Sequence, residues 1–307
     1  MITNVDPQNA LFLNGIDRIE NEISQASNQV SSGLQITAAS DSPDQIGTLL
    51  QLRANLAQNT QVQSNLTLAQ TNAQSADNAL SASIQLMDTA TSLASQGASA
   101  TVDATTRASL AQQVQSILQQ MVSYSQTNVQ GVYIFGGDQN NTPQYTWDPT
   151  QADPVVTQQT SASTAQIENP AGGTFQASLT AQQIFDDQDP ATGLPATDNV
   201  FNALNTLVTA LNNNDTAGIT NSIPLLQAAS VQLNTSEAFY GNLEDQLQDA
   251  STYASNYSVQ LQTEISNIQD ADIPTAATEL TQANTQLQAA MQMEGQLPQS
   301  SLFNYLG

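Results

Sequence analysis

The sequence has no cysteine, no histidine and no lysine, and its only basic residues are Arg18, Arg53 and Arg107. Without cysteine it has no disulfide and no thiolate nucleophile; without histidine it loses most zinc sites and the base of serine hydrolases. The absence of lysine excludes Schiff-base and P-loop phosphate chemistry. Aromatic residues make up 5% and apolar residues 39% of the 307 positions, so a large globular core is not expected. No run approaches the roughly 18 consecutive apolar residues of a membrane-spanning helix. The opening segment, Met1 to Pro7, also lacks the basic-then-apolar pattern of a cleaved secretory signal.

Charge is scarce and of one sign. Acidic residues number 27, the net charge is −24, and charged residues are only 10% of the chain, against roughly 25% in ordinary soluble domains. Nucleic-acid binding relies on cations placed against phosphates, so no nucleic-acid partner is expected. An anionic membrane surface would repel the chain, so no membrane partner is expected either. Such acidity also opposes self-association unless salt screens it or apolar seams outweigh it.

No catalytic, cofactor-binding or metal site is read from the residues. Asp186-Asp187-Gln188-Asp189 offers calcium-type oxygen ligands. It lacks the glycine and distant glutamate of an EF-hand and reads as a solvated loop. The remaining enzymatic alternative is a glycoside hydrolase using two carboxylates, for which the sequence shows no cleft-building pattern. Tyr133, Phe135, Tyr145 and Trp147 read as the small core of a β-rich segment rather than as a sugar-stacking face.

What is present in abundance is an apolar repeat alternating three and four residues apart, the mark of helices that bury a narrow seam. Phe12, Ile16, Ile19, Ile23, Ala26 and Val30 form the first run, which stops at Gly33. Asp41-Ser42-Pro43 reads as a cap with proline in the first turn. It opens a run through Leu52, Leu66, Ala69, Ala73, Ala76, Leu80, Met87, Ala90 and Ala94, interrupted by Asn59 and Ser83. Leu110, Val114, Ile117 and Met121 predict a third helix that folds back on the second.

Ile219, Leu226, Leu233, Tyr240, Leu247, Ala254, Leu261 and Ile268 are spaced seven apart without a break, with Pro224 marking a first turn or a kink. The last run is Ile273, Ala276, Leu280, Ala283, Leu287, Ala290 and Leu297. Between them, from about 130 to 198, prolines and glycines gather and helical periodicity disappears. Two hairpins are expected there, one joining 132–135 to 145–147 and one joining 164–168 to 174–179.

The predicted fold is mainly α: a long antiparallel coiled-coil or helical-bundle rod built from the N- and C-terminal segments, with a small β-rich inserted domain. The segments are 1–42 (terminal helix and turn), 43–131 (rod helices), 132–198 (insert), 199–270 (rod helices) and 271–307 (terminal helix). A lone helix of about 20 residues is marginal in water. The seam residues Phe12, Ile16, Ile19, Ile23, Val30, Leu280, Leu287 and Leu297 are therefore candidates for burial by neighbouring subunits, in a step that couples folding to assembly. An ordinary monomeric bundle capped by its terminal helices satisfies the same periodicity.

Gln29-Val30-Ser31-Ser32-Gly33-Leu34-Gln35-Ile36 followed by Asp41-Ser42-Pro43 resembles the N-terminal signature of the flagellin family. Gln35 and Asp41-Ser42 depart from the arginine and the paired acidic residues usual there. Gln269-Asp270-Ala271-Asp272-Ile273-Pro274 resembles the family's C-terminal signature. Gly131-Val132-Tyr133-Ile134-Phe135-Gly136-Gly137 and the ending Ser301-Leu302-Phe303-Asn304-Tyr305-Leu306 resemble the family's hook-filament junction branch more than filament flagellins.

The resemblance carries a motif set of Ser31, Ser32, Gly33, Asp41, Pro43, Asp270, Asp272, Phe303 and Tyr305. It implies a secreted, non-enzymatic subunit exported through the flagellar type III channel and assembled into a ring between hook and filament, terminal helices innermost. The partners it implies are further copies of this chain, the other hook-associated junction protein, flagellin and an export chaperone, and it implies no cofactor.

Overall fold

The computed structural model describes residues 7–151, 153–161 and 164–294. Seven helices and six short strands follow in order: α1 (Pro7–Ser32), α2 (Pro43–Gly97), α3 (Ala104–Ser125), β1 (Asn128–Val129), β2 (Val132–Tyr133), β3 (Tyr145–Trp147), β4 (Val155–Thr157), β5 (Gln166–Glu168), β6 (Thr174–Gln176), α4 (Ala181–Phe185), α5 (Val200–Asn212), α6 (Thr216–Gln269) and α7 (Ile273–Glu294). Leu297, Phe303 and Tyr305 lie outside the described residues. The chain divides into two compact units, one gathering Met1–Gln58 with Tyr257–Gly307 and the other comprising Asn59–Asn256. Among the described residues no helix is long and apolar enough to cross a membrane.

In the Asn59–Asn256 unit the heptad residues behave as their spacing requires. Leu66, Ala73, Ala76, Leu80, Met87, Ala90 and Ala94 of α2 are buried together with Ile219, Leu226, Leu233, Tyr240, Leu247 and Ala254 of α6. The two stretches run antiparallel: Asn59 Nδ2 donates to the Ala254 carbonyl at 2.8 Å, whereas at the other end a Cβ on Gly97 would sit 3.8 Å from Ile219. The alanines are packing residues, because small side chains let helix axes approach closely. α6 runs through Pro224 and begins at Thr216, so the proline does not mark its first turn. Helix α3 packs on α5.

Arg107 is a buried cation at the meeting of two interhelix turns. Its guanidinium donates to the carbonyls of Gly97 (2.8 Å) and Ser99 (2.9 Å) after α2, and to Asn214 Oδ1 (2.5 Å) between α5 and α6. Asn214 holds φ at +54°, a left-handed turn residue that presents its amide oxygen to the arginine.

The β-rich segment departs from expectation in one pairing. β2 pairs with β1, and β3 pairs with β4, so the hairpin between 132–135 and 145–147 does not form. The reason is local: Gln130 (φ +54°) and Gly131 (φ +88°) are both left-handed, the requirement of a two-residue hairpin turn that matches strand twist. Glutamine is not a usual residue there, and its turn is held by the Gly131 N–H donating to Asn128 Oδ1 at 2.9 Å. The second hairpin forms as expected, β5 with β6, Ile167 opposite Phe175.

The aromatic residues do not make a separate small core for this segment. Phe135 meets Phe185 edge-on at 5.8 Å and Tyr240 at 6.1 Å, and Tyr145 meets Phe201 at 5.1 Å. Strand and loop aromatics are thus anchored on α4, α5 and α6.

The acidic cluster is likewise not simply solvated. Asp186 accepts from the Tyr145 hydroxyl at 3.1 Å and from Asn199 Nδ2 at 2.8 Å. Burial pushes its carboxyl above the usual range, against the opposing effect of those hydrogen bonds. Glu244 is raised too, by desolvation and then by Asp77 and Asp245.

A carboxyl whose pKa is raised by folding binds its proton more tightly when folded. Stability therefore falls as pH rises from the unfolded value, about 4, through the folded one. Thermal melts are expected to give a higher Tm at about pH 5 than at pH 7, with Asp186→Asn narrowing the difference. An unchanged or inverted difference in the variant would contradict this reading of Asp186.

Candidate assembly site

The two sequence signatures, far apart in the chain, meet in space. Helix α1 ends where Ser31 Oγ and Ser32 Oγ donate to the Asn28 carbonyl, at 3.1 and 2.6 Å. Such back-bonding by serine competes with the helical ladder. Gly33 then takes φ +74° and its N–H donates to the Gln29 carbonyl at 2.9 Å, a left-handed helix stop. Immediately beyond, Leu34 forms an antiparallel β-bridge with Asp270. The bridge is flanked by Ala271 N–H donating to the Gly33 carbonyl (2.9 Å) and Gln35 N–H donating to the Gln269 carbonyl (2.6 Å).

The chain returns through a closed loop. Asp41 accepts from the Ala38 N–H (2.7 Å), the Thr37 N–H (2.9 Å) and the Thr37 hydroxyl (2.9 Å), and these bonds hold its carboxyl below the ordinary carboxylate range. Asp41 thus faces backward and closes the turn, and Ser42, whose carbonyl accepts from the Ile46 N–H at 3.1 Å, stands at the cap position before Pro43 opens α2. On the other side Asp272 accepts from Thr275 N–H at 3.3 Å and Thr275 Oγ1 at 3.0 Å, which caps α7. The Asp270 carboxylate accepts from Ser266 Oγ.

Because the bridge ties the end of α1 to the start of α7, the two helices lie antiparallel against each other. Ile19, Ala26, Ala276 and Ala283 are buried, and Phe12, Ile16, Ile23, Leu280 and Leu287 are half-buried. Val30 is exposed. Three of the four buried residues are alanines and the larger seam side chains are only half-buried, so the pair leaves part of its apolar area in water.

Other apolar side chains point outward: Leu11 (72% exposed), Leu13, Ile273, Met291 and Met293. Ile273 opens the expected α7 run and is nonetheless exposed; the other four stood outside both expected runs. The signal of Leu11, Leu13, Met291 and Met293 in the sequence was that they share α1 or α7 with the seam yet fall off its three-four spacing. The one ion pair among the described residues, Arg18 with Glu22 at 3.7 Å, is exposed and adds little.

Gly33 tests the turn. A Cβ there would meet nothing within 4 Å, so the cost of Gly33→Ala is backbone strain alone, about 1 kcal/mol or somewhat more. Amide exchange in α1 is expected to accelerate several-fold while exchange in α3 and α5 stays unchanged.

The model of the bacterial flagellin N-terminal helical region matches residues 3–140, and that of the C-terminal helical region matches residues 223–306. No curated protein sequence matches the chain. A Vibrio parahaemolyticus chain described as a flagellar hook-associated protein is similar in structure with TM-score 0.63 at 18% identity, over 75% of this chain and 100% of that one. FlgL of Xanthomonas campestris gives TM-score 0.60 at 16% identity, over 70% and 100%. Hook-associated protein 3 of Legionella pneumophila gives 0.60 at 13% identity, over 73% and 99%. At these identities the likeness speaks to the fold. The two family models meet the paired signatures from either side and together match more than half of the residues: the chain belongs to the bacterial flagellin family.

Proposed function

We propose that this protein is a structural subunit of the flagellar junction between hook and filament, carried there by export and held by its terminal helices. The observation that supports it most is the bridge of Leu34 to Asp270, which sets α1 beside α7 with Leu11, Leu13, Met291 and Met293 facing outward. A pair whose larger seam side chains, Phe12, Ile16, Ile23, Leu280 and Leu287, stay only half-buried is incompletely buried by itself. Neighbouring subunits that cover the outward residues would supply the missing burial. The seam residues of the sequence reading then divide by role, Ile19 and its neighbours joining α1 to α7, and Val30 joining subunit to subunit. Other copies of this chain, the second hook-associated junction protein and flagellin are the neighbours of this reading, with an export chaperone engaging the C-terminal segment beforehand. No catalytic step enters it.

Gold-labelled antibody on isolated flagella tests the placement. Label confined to a single band where hook meets filament is expected. Label along the filament, together with long tubes from concentrated protein at moderate salt, would make the protein a filament flagellin instead.

A further inference from the structure

A cleft of about 270 Å³ opens within the Asn59–Asn256 unit, between the β1–β2 hairpin and β5. Its floor includes Val62, Leu68 and Asn72 of α2, with Tyr133 on one wall and Gln166 and Glu168 on the other. The Asn72 amide oxygen is buried without a hydrogen-bond donor, an arrangement that costs free energy unless a ligand supplies one.

In an antiparallel pair, residues alternate between those bonded to the partner strand and those whose N–H and C=O point away from it. The Ala177 N–H donates to the Ala165 carbonyl at 2.8 Å and the Asn169 N–H to the Gly173 carbonyl at 2.9 Å. These bonds fix the alternation, so Gln166 and Glu168 direct their backbone groups away from β6, on the edge of β5 that borders the cleft.

We infer that this cleft receives an extended peptide segment of another protein as a third strand on β5. The incoming strand pairs with the backbone of Gln166 and Glu168, sets apolar side chains on Val62 and Leu68, and donates to Asn72. This is strand addition to a free sheet edge, with main-chain bonds giving affinity and the floor giving selectivity.

Glu168 is the one charged residue lining the cleft, so the occupant is complementary when it carries a cation. A second copy of this chain does not fit. It has no lysine, and its three arginines, Arg18, Arg53 and Arg107, all lie within helices. The inference stands apart from the junction reading, which concerns α1 and α7.

The full-length protein titrated with an acetylated, amidated Val-Lys-Val-Lys-Val peptide, followed by amide chemical shifts, tests it. Saturable shifts at Gln166, Glu168 and the Asn72 side-chain amide are expected. N-methylation of alternate peptide amides should weaken binding about tenfold, since it removes strand hydrogen bonds. Glu168→Lys, a surface change, should weaken the cationic peptide about fivefold or more and favour its glutamate counterpart. No shift at millimolar peptide would overturn the inference. So would equal binding of the N-methylated peptide, which would mark unspecific apolar uptake.

Discussion

Arg107→Met is expected to lower the stability of the Asn59–Asn256 unit by about 3 kcal/mol. The methylenes are replaced, so packing is largely kept. What is lost is the donation to the buried Gly97 carbonyl and to Ser99 O and Asn214 Oδ1, which belong to exposed residues, so the tie between the two turns is broken and one buried acceptor is left without a partner. Arg107→Lys should recover only part of the loss, because an ammonium cannot reproduce a planar fork aimed at three acceptors. Urea unfolding followed by circular dichroism measures both. A cost under about 1 kcal/mol for Arg107→Met would show that the turns hold without the arginine.

Replacing Leu11, Leu13, Met291 and Met293 together by glutamine is expected to abolish incorporation into flagella while leaving the monomer's melting temperature nearly unchanged. All four side chains are exposed in the single chain, so their loss removes little from its own stability. Glutamine keeps helix propensity close to that of leucine and methionine. If neighbours bury them in the assembly, each contributes about 1.5 kcal/mol or more. Together they then change the association constant by about ten-thousandfold. Motility and the presence of the protein in isolated flagella are the readouts. Normal incorporation of the quadruple variant would place the subunit interface elsewhere.

Much of this architecture was legible because heptad spacing is a direct consequence of helix geometry. Every member of the Ile219 to Ala254 series is buried, and Gly33 stops α1 where its freedom at positive φ is needed. Leu11, Leu13, Met291 and Met293 were not legible, since periodicity says nothing of apolar residues off the seam, and Val30 and Ile273 lie on the runs yet are exposed because both sit at the helix ends beside the bridge. The β1–β2 turn escaped because Gln130 adopts a left-handed conformation that its side chain does not advertise.

Arg107 gave no local signal at all. Its three acceptors come from turns separated by more than a hundred residues, and only the closed fold assembles them. Asp41-Ser42-Pro43 reads as a cap with proline in the first turn, and Pro43 does open α2, with the Ser42 carbonyl accepting the first helical bond. The backbone donors at Thr37 and Ala38 claim the Asp41 carboxylate.

Amide hydrogen exchange on dilute monomer tests most directly whether α1 and α7 depend on neighbours for their stability. Amides of α1 and α7 are expected to exchange at least about a hundredfold faster than those of α3 and α5, whose contacts lie within a buried core, and to gain protection when the protein is assembled. Protection in α1 and α7 equal to that of α3 and α5 at micromolar concentration would contradict it, and would make the terminal helices a finished part of a monomeric bundle.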